Sequence, residues 1–214
     1  MIYLIGGPPR CGKTTLAKRL SKRLKISWIS TDTLENVAGA YWTKEELVKN
    51  RPYSNLRSKD GDRNNDTFYE KYSPKKIMSV LKGQARPIFL AIEMVAVCEI
   101  TDGNDYIIEG YHIIPSLANK LRKKYGEKNV KAVFLTKHDE IKFARDVKKS
   151  TTPNDWLLVL TKKEETFVKV GNMIVEYSKY FYTEAKKYGL KVFNMDERFN
   201  KKINEIVNYL NGLK

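Results

Sequence analysis

A chain of 214 residues, 42% hydrophobic and 11% aromatic, is long enough to bury one sizeable core and short for two ordinary domains, so a single domain over 1–214 with insertions is expected. Its net charge of +15 creates a positive surface field that draws anionic partners: nucleic acid, an anionic membrane surface or a phosphorylated metabolite. No apolar stretch reaches membrane-spanning length, because Lys82, Arg86, Glu93 and Glu99 interrupt the nearest one.

Lysine and arginine are spread along the chain beside acidic residues, as in "KLRKKYGEKNVK", which fits a solvated surface better than a dedicated nucleic-acid face. "MIYLIGG" lacks the basic region of a signal peptide, so a cytosolic, cytoplasmic protein is expected. Cys11 lies in a glycine-rich motif and Cys98 in an apolar helical run, and both are read as free thiols in a reducing compartment.

In chain order, "IYLIG" at 2–6 predicts the first strand, and 14–24 a helix carrying Leu16, Leu20 and Leu24 at fourfold spacing. "ISWIS" at 26–30 predicts the second strand. The polar, turn-rich stretch 50–72 predicts a substrate-side loop or insertion, and 74–100 a helix broken or bent near Gly83 and Pro87. Strands follow at 105–110, 130–136 and 190–195. Helical stretches at 138–149 and 162–188 flank "TTPNDWLL", where a small lid over about 145–163 is expected, and 198–212 closes the domain. Short apolar strands alternating with helices predict an α/β domain with a parallel sheet covered on both faces.

From Gly7 the sequence reads G-P-P-R-C-G-K-T, which satisfies G-x-x-x-x-G-K-[ST] and stands between a strand and a helix, as a phosphate-binding loop requires. Backbone N–H groups and the helix N-terminus converge there on phosphate oxygens. Gly7, Pro8, Pro9, Arg10, Cys11, Gly12, Lys13, Thr14 and Thr15 are therefore the nucleotide-binding candidates, with Arg10 able to lean over the phosphates. Lys13 would bridge the β- and γ-phosphates of ATP, and the Thr14 hydroxyl would take a position on Mg²⁺.

A GTP switch is disfavoured: "TKHD" at 136–139 imitates a guanine-reading motif, but the third strand ends "IIEGYH" without D-x-x-G. The hhhhDE strand of a motor ATPase is not visible. A calcium loop beginning at Asp60 fails because Asn65 and Lys71 stand where the glycine and the bidentate acid are needed.

A kinase needs a carboxylate near the γ-phosphate to orient or deprotonate the acceptor hydroxyl. Asp32 follows the second strand at the carboxyl edge of the sheet, with a helix N-cap for a segment starting at Thr33 as a compatible role. Glu109 ends the third strand and could hold Mg²⁺ through a water or orient substrate; Gly110 allows close backbone approach, and His112 follows at the expected mouth of the site.

On the phosphate loop, on Ser30, Thr31 and Asp32 after the second strand, and on Glu109, Gly110, His112 and Pro115 after the third, the chain resembles the nucleoside-monophosphate-kinase-like superfamily of P-loop kinases. Within it, the motifs are similar to the 2-phosphoglycerate kinase and predicted small-molecule kinase branch. The resemblance implies a three-layer P-loop NTPase fold with a five-stranded parallel sheet in the order 2-3-1-4-5. It further implies Asp32 near the acceptor hydroxyl, Lys13 and Thr14 on ATP and Mg²⁺, and basic lid residues over the phosphates. Arg145, the single arginine between 123 and 197, is the choice for the lid or adenine-stacking residue.

On the acceptor side, Arg51, Arg57, Lys59 and Arg63 interleave with Tyr53, Phe68, Tyr69 and Tyr72, and Arg57 and Arg63 are the substrate-binding candidates. Such a loop could grip a phosphorylated metabolite, a nucleotide or a single-stranded nucleic-acid end. The expected function is ATP-dependent phosphoryl transfer to a hydroxyl of a small anionic acceptor. The alternative is a polynucleotide-processing protein such as a 5′-hydroxyl nucleic-acid kinase.

Overall fold

The computed structural model describes residues 1–59, 64–152 and 154–212. Five strands, β1 (Ile2–Gly6), β2 (Ser27–Ser30), β3 (Tyr106–Glu109), β4 (Val130–Thr136) and β5 (Lys191–Asn194), form one parallel sheet in the order β2-β3-β1-β4-β5. This is the topology that the resemblance implies. β1 sits at the centre, with Leu4 beside Ile108 on one edge and Ala132 on the other. Every residue of β1 is buried, which is why that strand is a continuous apolar run rather than an alternating one.

Helix α1 (Lys13–Leu24) opens directly from the phosphate loop, buries Leu16, Ala17 and Leu20 against the sheet, and packs beside the last helix, α12 (Phe199–Leu210). α2 (Thr31–Gly39) follows β2 without a break. The predicted loop at 50–72 is instead largely helical: α3 (Lys44–Asn50) ends at its first residue, and α4 (Pro52–Ser58) and α5 (Asn65–Lys71) occupy most of its described part. Each is only seven residues long and is held by local devices. Thr43 and Glu46 make a capping box, Pro52 stands at the first position of α4, and Asn64 caps α5.

The next predicted helix is interrupted once, by a 3₁₀ turn over Arg86–Ile88 that contains Pro87. It separates α6 (Pro74–Ala85) from α7 (Phe89–Thr101), while Gly83 lies within α6. α8 (Pro115–Tyr125), α9 (Glu140–Val147), the one-turn α10 (Trp156–Val159) and the long α11 (Glu164–Lys187) complete the chain. α11 is the spine of the helical side, touching β4, α5, α6, α8 and α9 and burying Phe167, Val170, Met173, Ile174, Tyr177 and Phe181. Among the described residues no helix is long and apolar enough to cross a membrane.

Candidate active site

The carboxyl ends of β1, β2 and β3 open into a cavity of about 610 Å³. Pro9, Arg10, Lys13 and Thr14 close one end, Asp32, Glu109 and Gly110 form the floor, and Tyr53, Ser54, Arg57, Ser58 and Tyr69 from α4 and α5 form the far wall. Leu81, Tyr111, Trp156, Leu160 and Met173 supply the remainder. The phosphate loop, Asp32, Glu109, Gly110 and Arg57 are thus brought together. Arg63 lies outside the described residues.

The loop needs its glycines for space as much as for conformation. Gly12 sits at φ 93°, and a Cβ there would fall 2.6 Å from the ring of Phe199. Lys13 Nζ donates to the carbonyl oxygen of Pro8 at 2.6 Å, so its ammonium is already turned back over the loop. Cys11 is fully buried, and burial pushes its thiol up to about 11, so it packs as a small apolar group rather than acting as a nucleophile. The Thr14 hydroxyl donates to Glu109 Oε1 at 2.9 Å. Glu109 is 2% exposed, and burial raises its carboxyl above the usual range, with Lys13 and the Thr14 hydrogen bond opposing.

One hydroxyl and one carboxylate, facing the position of the phosphates, suit a Mg²⁺ ion that keeps waters and takes its other ligands from the nucleotide. A full protein cage is not what such an ion needs, and among the described residues no group of three or more His, Cys, Asp or Glu is arranged so that it could hold a metal ion.

Asp32 is not a helix cap. Ser30 takes that position, its side chain accepting from the Asp32 N–H at 3.2 Å, and Asp32 lies in the first turn of α2. Its side chain is 66% exposed to the cleft. The surrounding protein nevertheless lifts its carboxyl above the usual range, against the pull of Lys13 and Arg51.

His112 does not stand at the mouth of the site. It is 0% exposed, beneath Asp32, because the tight turn at Gly110 folds the chain back under α2. Its Nδ1 shares a 2.8 Å hydrogen bond with the Thr31 hydroxyl and lies 3.8 Å from Asp32, and its Nε2 faces Glu35 at 3.7 Å. Burial, reinforced by Lys13 and Arg51, lowers its pKa to about 3, so the ring is neutral at ordinary pH. Glu35 in turn accepts from Arg51 Nε at 3.3 Å. Arg51 is thereby tied to Glu35 and, through a 3.1 Å hydrogen bond, to Asn36, while His112 is buried against the first turn of α2 and does not line the cavity.

Arg145 is also displaced from its expected role. It lies on α9 with a side chain 65% exposed, paired with Asp146 at 3.6 Å, and does not line the cavity. The arginine that reaches the segment expected as a lid is Arg10, whose Nη2 lies 2.5 Å from Asp155, the N-cap of α10. That segment is also tied to the insertion. Asn65 donates to the Trp156 carbonyl at 3.2 Å and the Thr161 hydroxyl at 2.9 Å, and Asp66 accepts from the N–H groups of Lys162 and Lys163.

Sequence reasoning missed Glu35, Gln84, Tyr111, Trp156, Leu160 and Met173. Glu35 carried a signal, being three residues beyond Asp32 and so on the same helical face. Gln84 did not: its side-chain oxygen accepts from the N–H groups of Tyr53 and Ser54 at 3.0 and 3.3 Å, and its amide donates to the Tyr111 hydroxyl at 2.9 Å. This residue fixes the start of α4 to the exit of β3.

The family described as AAA domain matches residues 4–166. A 2-phosphoglycerate kinase of Methanopyrus kandleri is 25% identical over 99% of this chain and 61% of its own length. One from Pyrococcus horikoshii is 24% identical over 97% and 64%. The chain therefore spans about three fifths of the length of these relatives. The crystal structure of shikimate kinase from Bacteroides thetaiotaomicron superposes with a TM-score of 0.52 at 19% identity, covering 100% of this chain and 99% of that one, a likeness of fold.

Proposed function

The chain belongs to the AAA domain family, and from that premise we propose that it is a P-loop kinase, transferring the γ-phosphoryl group of ATP to a hydroxyl of a small anionic acceptor. The observation that carries the reading is the continuity of one cavity from Lys13 and Thr14, past Asp32, to Arg57. A donor phosphate at one end and a hydroxyl at the other would meet beside a carboxylate.

The loop N–H groups and the N-terminus of α1 hold the triphosphate. Lys13 exchanges the Pro8 carbonyl for phosphate oxygens. Thr14 directly and Glu109 through a water would hold Mg²⁺, which when bound neutralises phosphate charge. Asp32 orients the acceptor hydroxyl and takes its proton as the oxygen bonds to phosphorus and the bond to the β-phosphate oxygen breaks, releasing ADP. The Thr31–His112 hydrogen bond anchors the first turn of α2, the helix that carries Asp32.

The test is transfer of label from γ-labelled ATP to a panel of hydroxyl acceptors, 2-phosphoglycerate and a 5′-hydroxyl oligonucleotide among them, with wild type and Asp32→Asn. Loss of transfer by two or more orders of magnitude with ATP affinity retained is expected from the loss of general base catalysis. Undiminished turnover would remove Asp32 from the mechanism.

A further inference from the structure

The acceptor half of the cavity is mostly not built for charge. Between the phosphate loop and Arg57 the walls are Tyr53, Tyr69, Leu81, Trp156, Leu160 and Met173. Beyond the loop's own Arg10 and Lys13, Arg57 is the only basic side chain among the described lining residues, against the two carboxylates Asp32 and Glu109.

An acceptor with a phosphate and a carboxylate on a three-carbon chain would bring roughly three negative charges at neutral pH. Arg51 is paired with Glu35 and does not line the cavity, and neither does the exposed Lys59. With one basic side chain on the acceptor side of the described lining, part of that charge would lose water without gaining a partner there, which is expensive.

The aromatic wall is rigid as well as apolar. Phe68 stands behind it, its ring 5.8 Å from Tyr53 and 5.3 Å from Tyr69 in edge-to-face contacts, with the Arg57 guanidinium 4.6 Å over the Phe68 ring. Gln84 pins the α4 end of the same wall. Fixed aromatic walls reward a flat body that slides between them, because its burial costs little ordering.

Resting on the phosphotransfer reading above, we infer that the acceptor is a ring-bearing hydroxyl compound with a single anionic group, its ring packed between Trp156 and the Tyr53–Tyr69 wall and its anion at Arg57. The reaction is the one already written: the ring-borne hydroxyl oxygen gains the phosphoryl group, Asp32 takes the proton and ADP leaves.

The experiment compares kcat/KM for acceptors of graded chemistry: 2-phosphoglycerate, glycerate, a hydroxylated cyclohexane carboxylate, hydroxybenzyl phosphate and a nucleoside 5′-monophosphate. At least one ring-bearing acceptor is expected to exceed 2-phosphoglycerate by tenfold or more. Trp156→Leu is expected to reduce that ratio at least tenfold, and binding of the ring-bearing acceptor is expected to quench a fluorescence component that Trp156→Leu lacks. Transfer to 2-phosphoglycerate equal to or better than to every ring compound overturns the inference and leaves the kinase reading standing. So does a Trp156→Leu ratio equal to that of wild type. ATP binding without label transfer to any acceptor overturns the kinase reading and the inference with it.

Discussion

Substitution of Gly110 by alanine tests the packing under the candidate base. Gly110 has φ 155°, and a Cβ built there falls 1.7 Å from Thr31 Oγ1 and 2.8 Å from Thr31 Cβ. The backbone strain is worth about 1–3 kcal/mol. The hydroxyl must also move, which breaks its 2.8 Å hydrogen bond to the fully buried His112 and leaves a buried polar atom unpaired, a further ~1–3 kcal/mol. Gly110→Ala should therefore lose about 2–6 kcal/mol, against a total of about 5–15 kcal/mol for a typical domain. Urea unfolding followed by circular dichroism measures this directly. The double variant with Thr31→Ala should cost at least ~1 kcal/mol less than the sum of the singles, because the hydrogen bond is lost once and the oxygen is no longer in the way. A loss below ~1 kcal/mol for Gly110→Ala, or additivity within ~0.5 kcal/mol, would refute the reasoning.

Three further outcomes are expected. His112 has a lowered folded pKa, so it contributes stability that is complete above the ordinary histidine value of about 6.5 and is lost as pH falls toward about 3. Denaturation midpoints across that window should fall in wild type and flatten in His112→Asn. Gln84→Leu should cost ~1–3 kcal/mol by stranding the Tyr53 and Ser54 N–H groups, and should raise the KM for acceptor more than that for ATP, as steady-state kinetics would report. A maleimide should label one thiol per native chain, the exposed Cys98, and the buried Cys11 only after unfolding; mass spectrometry of the labelled peptides distinguishes them.

The sheet and the phosphate loop were legible because both are written locally. Apolar strands of four to seven residues alternate with helices, and the spacing of Gly7, Gly12, Lys13 and Thr14 has few other physical uses. The insertion was not legible as helix, because its two short described helices, α4 and α5, are seven residues each and rest on the burial of Phe68 and Tyr69, which only tertiary structure supplies. The burial of His112 depends on the path of the chain at Gly110, and polar "EGYH" gives no hint of it. Arg145 stands out in the sequence as the single arginine between 123 and 197, whereas the geometry pairs it with its neighbour Asp146 and brings Arg10 to Asp155. The Arg10–Asp155 and Thr31–His112 contacts join residues far apart in the chain, which periodicity does not encode.

The Asn65 and Asp66 contacts to 156–163 have a kinetic consequence. They tie the α5 side of the cavity to the 156–163 segment, so Trp156 cannot swing away from the phosphate loop without pulling on α5 or breaking the five hydrogen bonds that Asn65 and Asp66 make to that segment. On the proposed reaction such a molecule would work like a purse with one clasp: the two substrates would be enclosed together, and loosening the clasp to let ADP out would loosen the hold on the phosphorylated product in the same movement.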